Sequence, residues 1–339
     1  MEKKLLLLLM ATSILSFLPS VSHAMTQQEY EAYIIRKKIM LQREQQEKND
    51  IFRAGIEAYQ QKNYEYALRL LSRVENDFVR RKDFNIAFGN SLYGINNKQA
   101  AINYLGRAYQ MGATDYPTLT NLAYGLMDMQ NYSKAYPVLA KAISYYPTEP
   151  DPYWNLALTC DKLQNQTCTL NSLLRLMKVK PDYSPEPYLM AGDIYKQRQN
   201  IEQSLGTYLA GLFIYSKNPQ LNYFAGDIYF AKGFTDKSIP YFLQAVDSQP
   251  DYLDAYYLLG GAYLKLDDLD KSATVCDAMI KIAPKDEKTQ DICKAVDLKR
   301  MQKLMEQQMM IDQMNQDQQM IMDQQDMQNQ TMHQMGTGI

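Results

Sequence analysis

The residues able to do chemistry are few, and most are badly placed for catalysis. Of the two histidines, His23 lies near the start and His333 near the end, so the body of the 339-residue chain holds none. A Ser-His-Asp or Cys-His nucleophile needs an imidazole within hydrogen-bond reach, which removes those mechanisms, and histidine-based zinc sites fall with them. No G-x-x-x-x-G-K-[ST] loop occurs, and no G-x-G-x-x-G follows a strand-like run, so the familiar phosphate cradles are missing. Carboxylates remain, but nothing in their spacing points to catalysis. The four cysteines (Cys160, Cys168, Cys276 and Cys293) and 20 methionines complete the inventory. Ten methionines fall with 12 glutamines in residues 301–339. A polar helical extension fraying into disorder is the plainest expectation for that tail. A coiled-coil seam for self-association comes second, since Leu298, Met301 and Met305 keep helical spacing. Copper(I) capture by thioethers, which are soft ligands, comes third, because the methionines form no compact repeated clusters. No resident metal or cofactor is expected.

The first 24 residues read as an export signal. Lys3 and Lys4 precede LLLLLMATSILSFLP, and Ser22 and Ala24 place small residues before Met25. Cleavage after Ala24, and a bacterial periplasm or secretion as destination, are expected. Without that segment 34 basic residues stand against 37 acidic ones. No basic run or face stands out, so nucleic acid is an unexpected partner. An even number of cysteines suits an oxidising compartment.

The elements that position these residues show a period. Gly55, Gly89, Ala123, Ala157, Gly192, Gly226 and Gly260 follow one another at 34 or 35 residues. Twelve positions after each comes a second small residue: Ala67, Ala101, Ala135, Thr169, Ser204, Ser238 and Ser272. Pro147, Pro181, Pro250 and Pro284 close four of the units at one phase, whereas Val79 and Ala113 stand there in the first two. Across residues 48–285 this resembles the tetratricopeptide repeat, W-x2-L-G-x2-Y, then A-x3-F, then P. The seventh unit carries Tyr256, Leu259, Gly260, Tyr263, Ser272, Cys276, Met279 and Pro284 at those positions.

The resemblance implies an all-α superhelical solenoid of antiparallel helix pairs, with the two small residues of each unit facing one another. Residues 25–47 are expected as a separate N-terminal helix, with Tyr30, Ile34 and Met40/Leu41 available for packing. Residues 286–300 form a capping helix through Ile292, Cys293 and Val296, and residues 301–339 the tail. In the repeat register Cys160 and Cys168 fall on facing turns, as do Cys276 and Cys293, which implies two disulfides; four buried free thiols are the alternative. The first helices line an inner groove in such solenoids. Positions three before, one after and four after each marker then give candidate partner-binding residues: Phe52, Tyr59, Asn90, Tyr93, Tyr124, Trp154, Asp193, Tyr223, Asp227, Phe230 and Tyr257. Gly261 opens a gap among them. Tyrosine and tryptophan are rigid, amphipathic anchors. The expectation is an exported, non-enzymatic scaffold holding a protein or peptide in assembly of an envelope complex. A binder of cell-wall or exported polysaccharide is the first alternative, and a carboxylate-based envelope hydrolase a more distant one.

Overall fold

The computed structural model describes residues 25–336, apart from the side chains of Gln330 and residues 333–336. The export signal expected over 1–24 and the His333 side chain lie outside the described residues. Among the described residues every regular element is a helix, and none is long and apolar enough to cross a membrane. The described residues divide into two compact units, one ending at Tyr145 and the other beginning at Tyr146.

The first unit runs α1 (Gln27–Gln60), α2 (Tyr64–Ser72), α3 (Glu75–Phe78), α4 (Lys82–Gly94), α5 (Lys98–Gln110), α6 (Tyr116–Asp128) and α7 (Tyr132–Tyr145). The second runs α8 (Asp151–Lys162), α9 (Gln166–Val179), α10 (Glu186–Gln197), α11 (Ile201–Ile214), α12 (Pro219–Ala231), α13 (Thr235–Ser248), α14 (Leu253–Lys265), α15 (Leu269–Ile282) and α16 (Glu287–Gly336). Within each unit successive helices pack as antiparallel pairs, the solenoid architecture expected of the repeat. The closing prolines stand two residues past the ends of α7, α9, α13 and α15, where a residue without an N–H cannot prolong the helix.

The turn inside each pair obeys a rule of its own. Lys62, Asn96, Gln130, Gln164, Gln199, Gly233 and Asp267, each seven residues after a marker, all adopt a left-handed backbone, with φ from 57 to 83°. The next residue often caps the second helix: the side chains of Asn63, Asn97, Asn165 and Asp268 accept the N–H three positions on. One left-handed residue reverses the chain, and a short polar cap restarts it.

The marker glycines are explained differently from the expectation. The two small residues do approach, since Ser204 and Ser272 donate hydroxyl hydrogen bonds to the carbonyls of Gly192 and Gly260 at 2.8 and 3.0 Å. The space left by the missing side chain is filled by a larger residue, 16 positions after the marker. A Cβ on Gly226 would sit 2.7 Å from Phe242, and one on Gly89 would sit 2.8 Å from Leu105. At this offset Leu71, Leu105, Leu139, Leu173, Tyr208 and Phe242 are all fully buried. In the seventh unit Cys276 stands at that offset, and Ile292 of α16 takes up the space beside Gly260 instead.

Three boundaries differ from the sequence reading. α1 is one unbroken helix, started by a Thr26–Glu29 capping box, so residues 25–47 are not a separate element. Its Tyr30, Ile34, Met40 and Leu41 are exposed rather than packed, because nothing described lies opposite that stretch. The second helix of the first unit breaks at Arg73–Val74 into α2 and α3. At the other end, the expected cap and tail form a single helix, α16. Its Ile292 and Val296 are buried against the last pair, while Lys299 and Lys303 pair with Asp267, and Arg300 with Asp270.

Both cysteine pairs are at disulfide distance, and both lie in the second unit. Cys160–Cys168 joins α8 to α9 with Cα atoms 5.7 Å apart. Cys276–Cys293 fastens α16 to α15 with Cα atoms 5.2 Å apart.

Candidate functional site

The candidate residues all stand on first helices, and a regular contact links successive ones. The residue four after one marker meets the residue one after the next. Asn90 Nδ2 donates to Tyr59 Oη at 3.3 Å, Lys196 Nζ to Asp227 at 2.7 Å, and Phe230 lies 3.9 Å from where a Cβ on Gly261 would be. These contacts make rungs that run across the repeats, so the candidate face is partly self-satisfied before any partner arrives.

In the first unit the rungs are sealed. Phe52 is buried, stacked on Phe78 of α3 with centroids 4.5 Å apart and covered by the Arg81 guanidinium at 4.8 Å. Asn90 is buried as well. It donates to Thr118 and accepts from Asn121, both at 2.9 Å, which joins α4 to α6. Neither residue offers its side chain to a partner, and both are corrected to structural roles. Tyr59 and Tyr93 are half-buried, which raises their phenol pKa values. Lys98 lies 5.8 Å from the Tyr93 ring and pairs with Asp128. Tyr124 is half-buried on α6.

The second unit keeps a half-open face. Trp154 of α8 meets Tyr183 at 6.2 Å, and Tyr223 of α12 meets Tyr252 at 5.1 Å. Both pairs have one design: the residue three before a marker, with the tyrosine of a Pro-Asp-Tyr turn (181–183 and 250–252) closing the same repeat. The sequence reading missed Tyr183 and Tyr252, although that repeated tripeptide was the signal that could have found them. In repeat order the fifth unit falls between the pairs and supplies polar groups. Asp193 accepts from Tyr208 Oη at 2.6 Å, and Lys196 bridges to Asp227 while lying 5.9 Å from the Phe224 ring. Phe230 carries Lys265 at 5.1 Å, and half-buried Tyr257 follows on α14.

Burial first, then Asp227 and Asp254, pushes the Tyr223 phenol up to about 12. Burial, then Tyr223, raises Tyr252 in turn. Both therefore stay neutral at physiological pH, as hydrogen-bonding rims on apolar plates. No group of three or more histidine, cysteine or acidic side chains suited to a metal ion occurs among the described residues.

A second tie repeats behind this face. At four of the markers the residue four before reaches the closing-turn carbonyl of the preceding repeat. Tyr153 and Tyr188 donate to Pro147 and Pro181 carbonyls at 3.0 and 3.1 Å, and Asn85 and Asn222 do the same to Val79 and Ser216 at 2.6 and 2.8 Å. Tyrosine or asparagine here holds the turn, and Tyr188 in this way ties the turn that carries Tyr183.

Comparison with known proteins bears on the fold alone. No curated protein matches the chain in sequence. A chain of the Naa15/Naa10 complex bound to HypK-THB aligns at 14% identity with a TM-score of 0.50, over 74% of this chain and 39% of that one. YrrB, a tetratricopeptide repeat protein with an unusual peptide-binding site, aligns at 18% identity and a TM-score of 0.46, over 55% of this chain and 95% of its own. MamA from residue 41 onward, of Desulfovibrio magneticus RS-1, aligns at 15% identity and a TM-score of 0.43, over 52% and 99%. Residues 223–287, the sixth and seventh units, match the profile described as tetratricopeptide repeat. Those two units thus match the tetratricopeptide repeat, and the other five repeat their residue offsets.

Proposed function

We propose that this chain is an exported, non-enzymatic scaffold, and that the first-helix face of its second unit holds an extended segment of another envelope protein. The observation that carries this reading is the repeated pairing of Trp154 with Tyr183 and Tyr223 with Tyr252. Rigid plates at repeat spacing bind an extended chain at little cost in side-chain entropy. Asp193 and Asp227 keep acceptor capacity for its N–H groups beyond the bonds they already make. Export is supported by the leader-like residues 1–24 and by two cysteine pairs, which suit an oxidising compartment.

The test is in-cell photo-crosslinking from positions 154 and 223, with Lys178, on α9 rather than a first helix, as the control position. One defined envelope protein captured from both sites, and not from the control, supports the reading. Capture of cell-wall or exported glycan would replace the protein ligand by a polysaccharide. Absence of any specific adduct at both positions overturns the proposed face.

A further inference from the structure

Two helical arms of opposite character leave the repeats. Every residue of α1 as far as Glu47 is exposed, including Tyr30, Tyr33, Ile34, Ile35, Ile39, Met40 and Leu41. The basic character is confined to residues 32–43, which carry four basic side chains (Arg36, Lys37, Lys38 and Arg43) and no acidic one, between Glu29 and Glu31 on one side and Glu44 and Glu47 on the other. None of the four takes part in a salt bridge among the described residues. Ile34, Lys37, Lys38, Leu41, Gln42 and Gln45 line a shallow groove along this arm, an apolar floor with an ammonium rim.

The arm leaving the last repeat is its complement. Beyond Lys303, α16 holds five acidic residues (Glu306, Asp312, Asp317, Asp323 and Asp326) and no lysine or arginine. Every described side chain from Met301 to Asn329 is exposed, nine of the large hydrophobics among them being methionine or isoleucine between 304 and 327. Three of the aspartates are held in the helix by glutamines four residues earlier: Gln308–Asp312, Gln313–Asp317 and Gln319–Asp323. Those bonds stiffen the arm without neutralising it. Methionine's flexible thioether also adapts to an irregular apolar groove better than a branched side chain does.

We propose that the basic, apolar arm of α1 is the docking site for the acidic, methionine-rich arm of α16 from a second copy of this chain. One arm precedes the first repeat and the other follows the last, so the contact is head-to-tail. Such heterologous contacts build rings of copies where the rotation closes and open rows where it does not. Opposite charge sets the pairing, and burial of methionine, isoleucine and leucine supplies the attraction. The proposal is independent of the peptide-binding face, which lies on other helices.

Charge exchange in the full chain tests it, read as average mass by light scattering over a concentration series. R36E/K37E/K38E and D312K/D317K/D323K are each expected to be monomeric, because each sets like charge against like. An equimolar mixture of the two is expected to associate again, since every arm then meets its opposite. Carrying all six changes in one chain is expected to restore the wild-type mass. High salt should lower the mass of the wild type. All these positions are exposed, and unchanged circular dichroism confirms that each variant folds. A wild type that is monomeric at every concentration overturns the proposal, as does association that neither triple variant alters. Failure of the mixture to associate means that complementary arms do not join copies, which also overturns it.

Discussion

Tyr208 Oη donates to Asp193 at 2.6 Å while its ring fills the space that a side chain on Gly192 would need. One buried tyrosine thus fixes a polar rung on the candidate face and explains why α10 tolerates a glycine. Replacement of Gly192 by alanine is expected to cost about 2–3 kcal/mol by overpacking a fully buried ring. Gly261→Ala is its control: a Cβ there meets only Phe230 at 3.9 Å. That change should stabilise α14 by about 0.5–1 kcal/mol, the difference in helix preference. Chemical denaturation midpoints of the two variants check both signs.

The left-handed turn residues give a second contrast. Gln130, Gln164 and Gln199 hold φ near 57–59°, the region that favours glycine, and only the sixth unit has glycine there. Gln164→Gly should raise stability by about 0.5–1 kcal/mol, and Gly233→Gln should lower it by about 1 kcal/mol. Thermal melting of the pair, with the two shifts opposite in sign, is the measurement.

Both cysteine pairs lie in the second unit, so reduction should weaken that unit alone. Spans of 8 and 17 residues correspond to about 2.5 and 3 kcal/mol on the loop-entropy account. Trp154, the chain's single tryptophan, reports on this unit. Its fluorescence transition should move to lower denaturant in reducing buffer, and peptide mapping without reductant should recover the two linked pairs. Four alkylated thiols in the unreduced protein would contradict the pairing.

Alkali should unfold both units from the inside. Burial, then the hydrogen bond to Glu75, pushes Tyr104 up to about 12 in the first unit, and burial does the same to Tyr223 in the second. Unfolded, each phenol titrates at its ordinary value near 10. A raised folded pKa means that the stabilisation is complete below pH 10 and is lost as pH rises toward 12. A denaturation series is expected to show stability falling across that window, and less steeply in Tyr223→Phe.

The period was legible because each marker is forced: where helices cross closely, only glycine or alanine fits, and seven crossings leave seven small residues. The offset of 16 was harder to see. Leu71, Leu105, Tyr208 and Phe242 look like ordinary core residues until their rings and methyls are placed against the glycines. The face was read from helical angle alone, which cannot know what a neighbouring segment brings. Phe52 fits the angle, but α3 folds back and lays Phe78 on it. Asn90 fits too, but Thr118 and Asn121 two helices on claim its amide. Trp154 and Tyr223 kept half-open places because their neighbours are turn tyrosines, which flank a ring without covering it. The break in α2–α3 had no signal of its own, for the second repeat also lacks its closing proline, at Ala113, and α5 runs unbroken. The continuity of α1 had none, since residues 47 and 48 look alike to any propensity.

A helix couples length to direction, and α16 extends 33 residues past its last tether at Lys303, about 50 Å at 1.5 Å per residue. Each residue removed from its root would swing everything beyond it by about 100° as well as draw it closer. Shortening by seven residues would nearly preserve the compass bearing of the far end, and shortening by two would almost reverse it. Whatever the far end of this rod touches, it reaches at a set distance and on a set side.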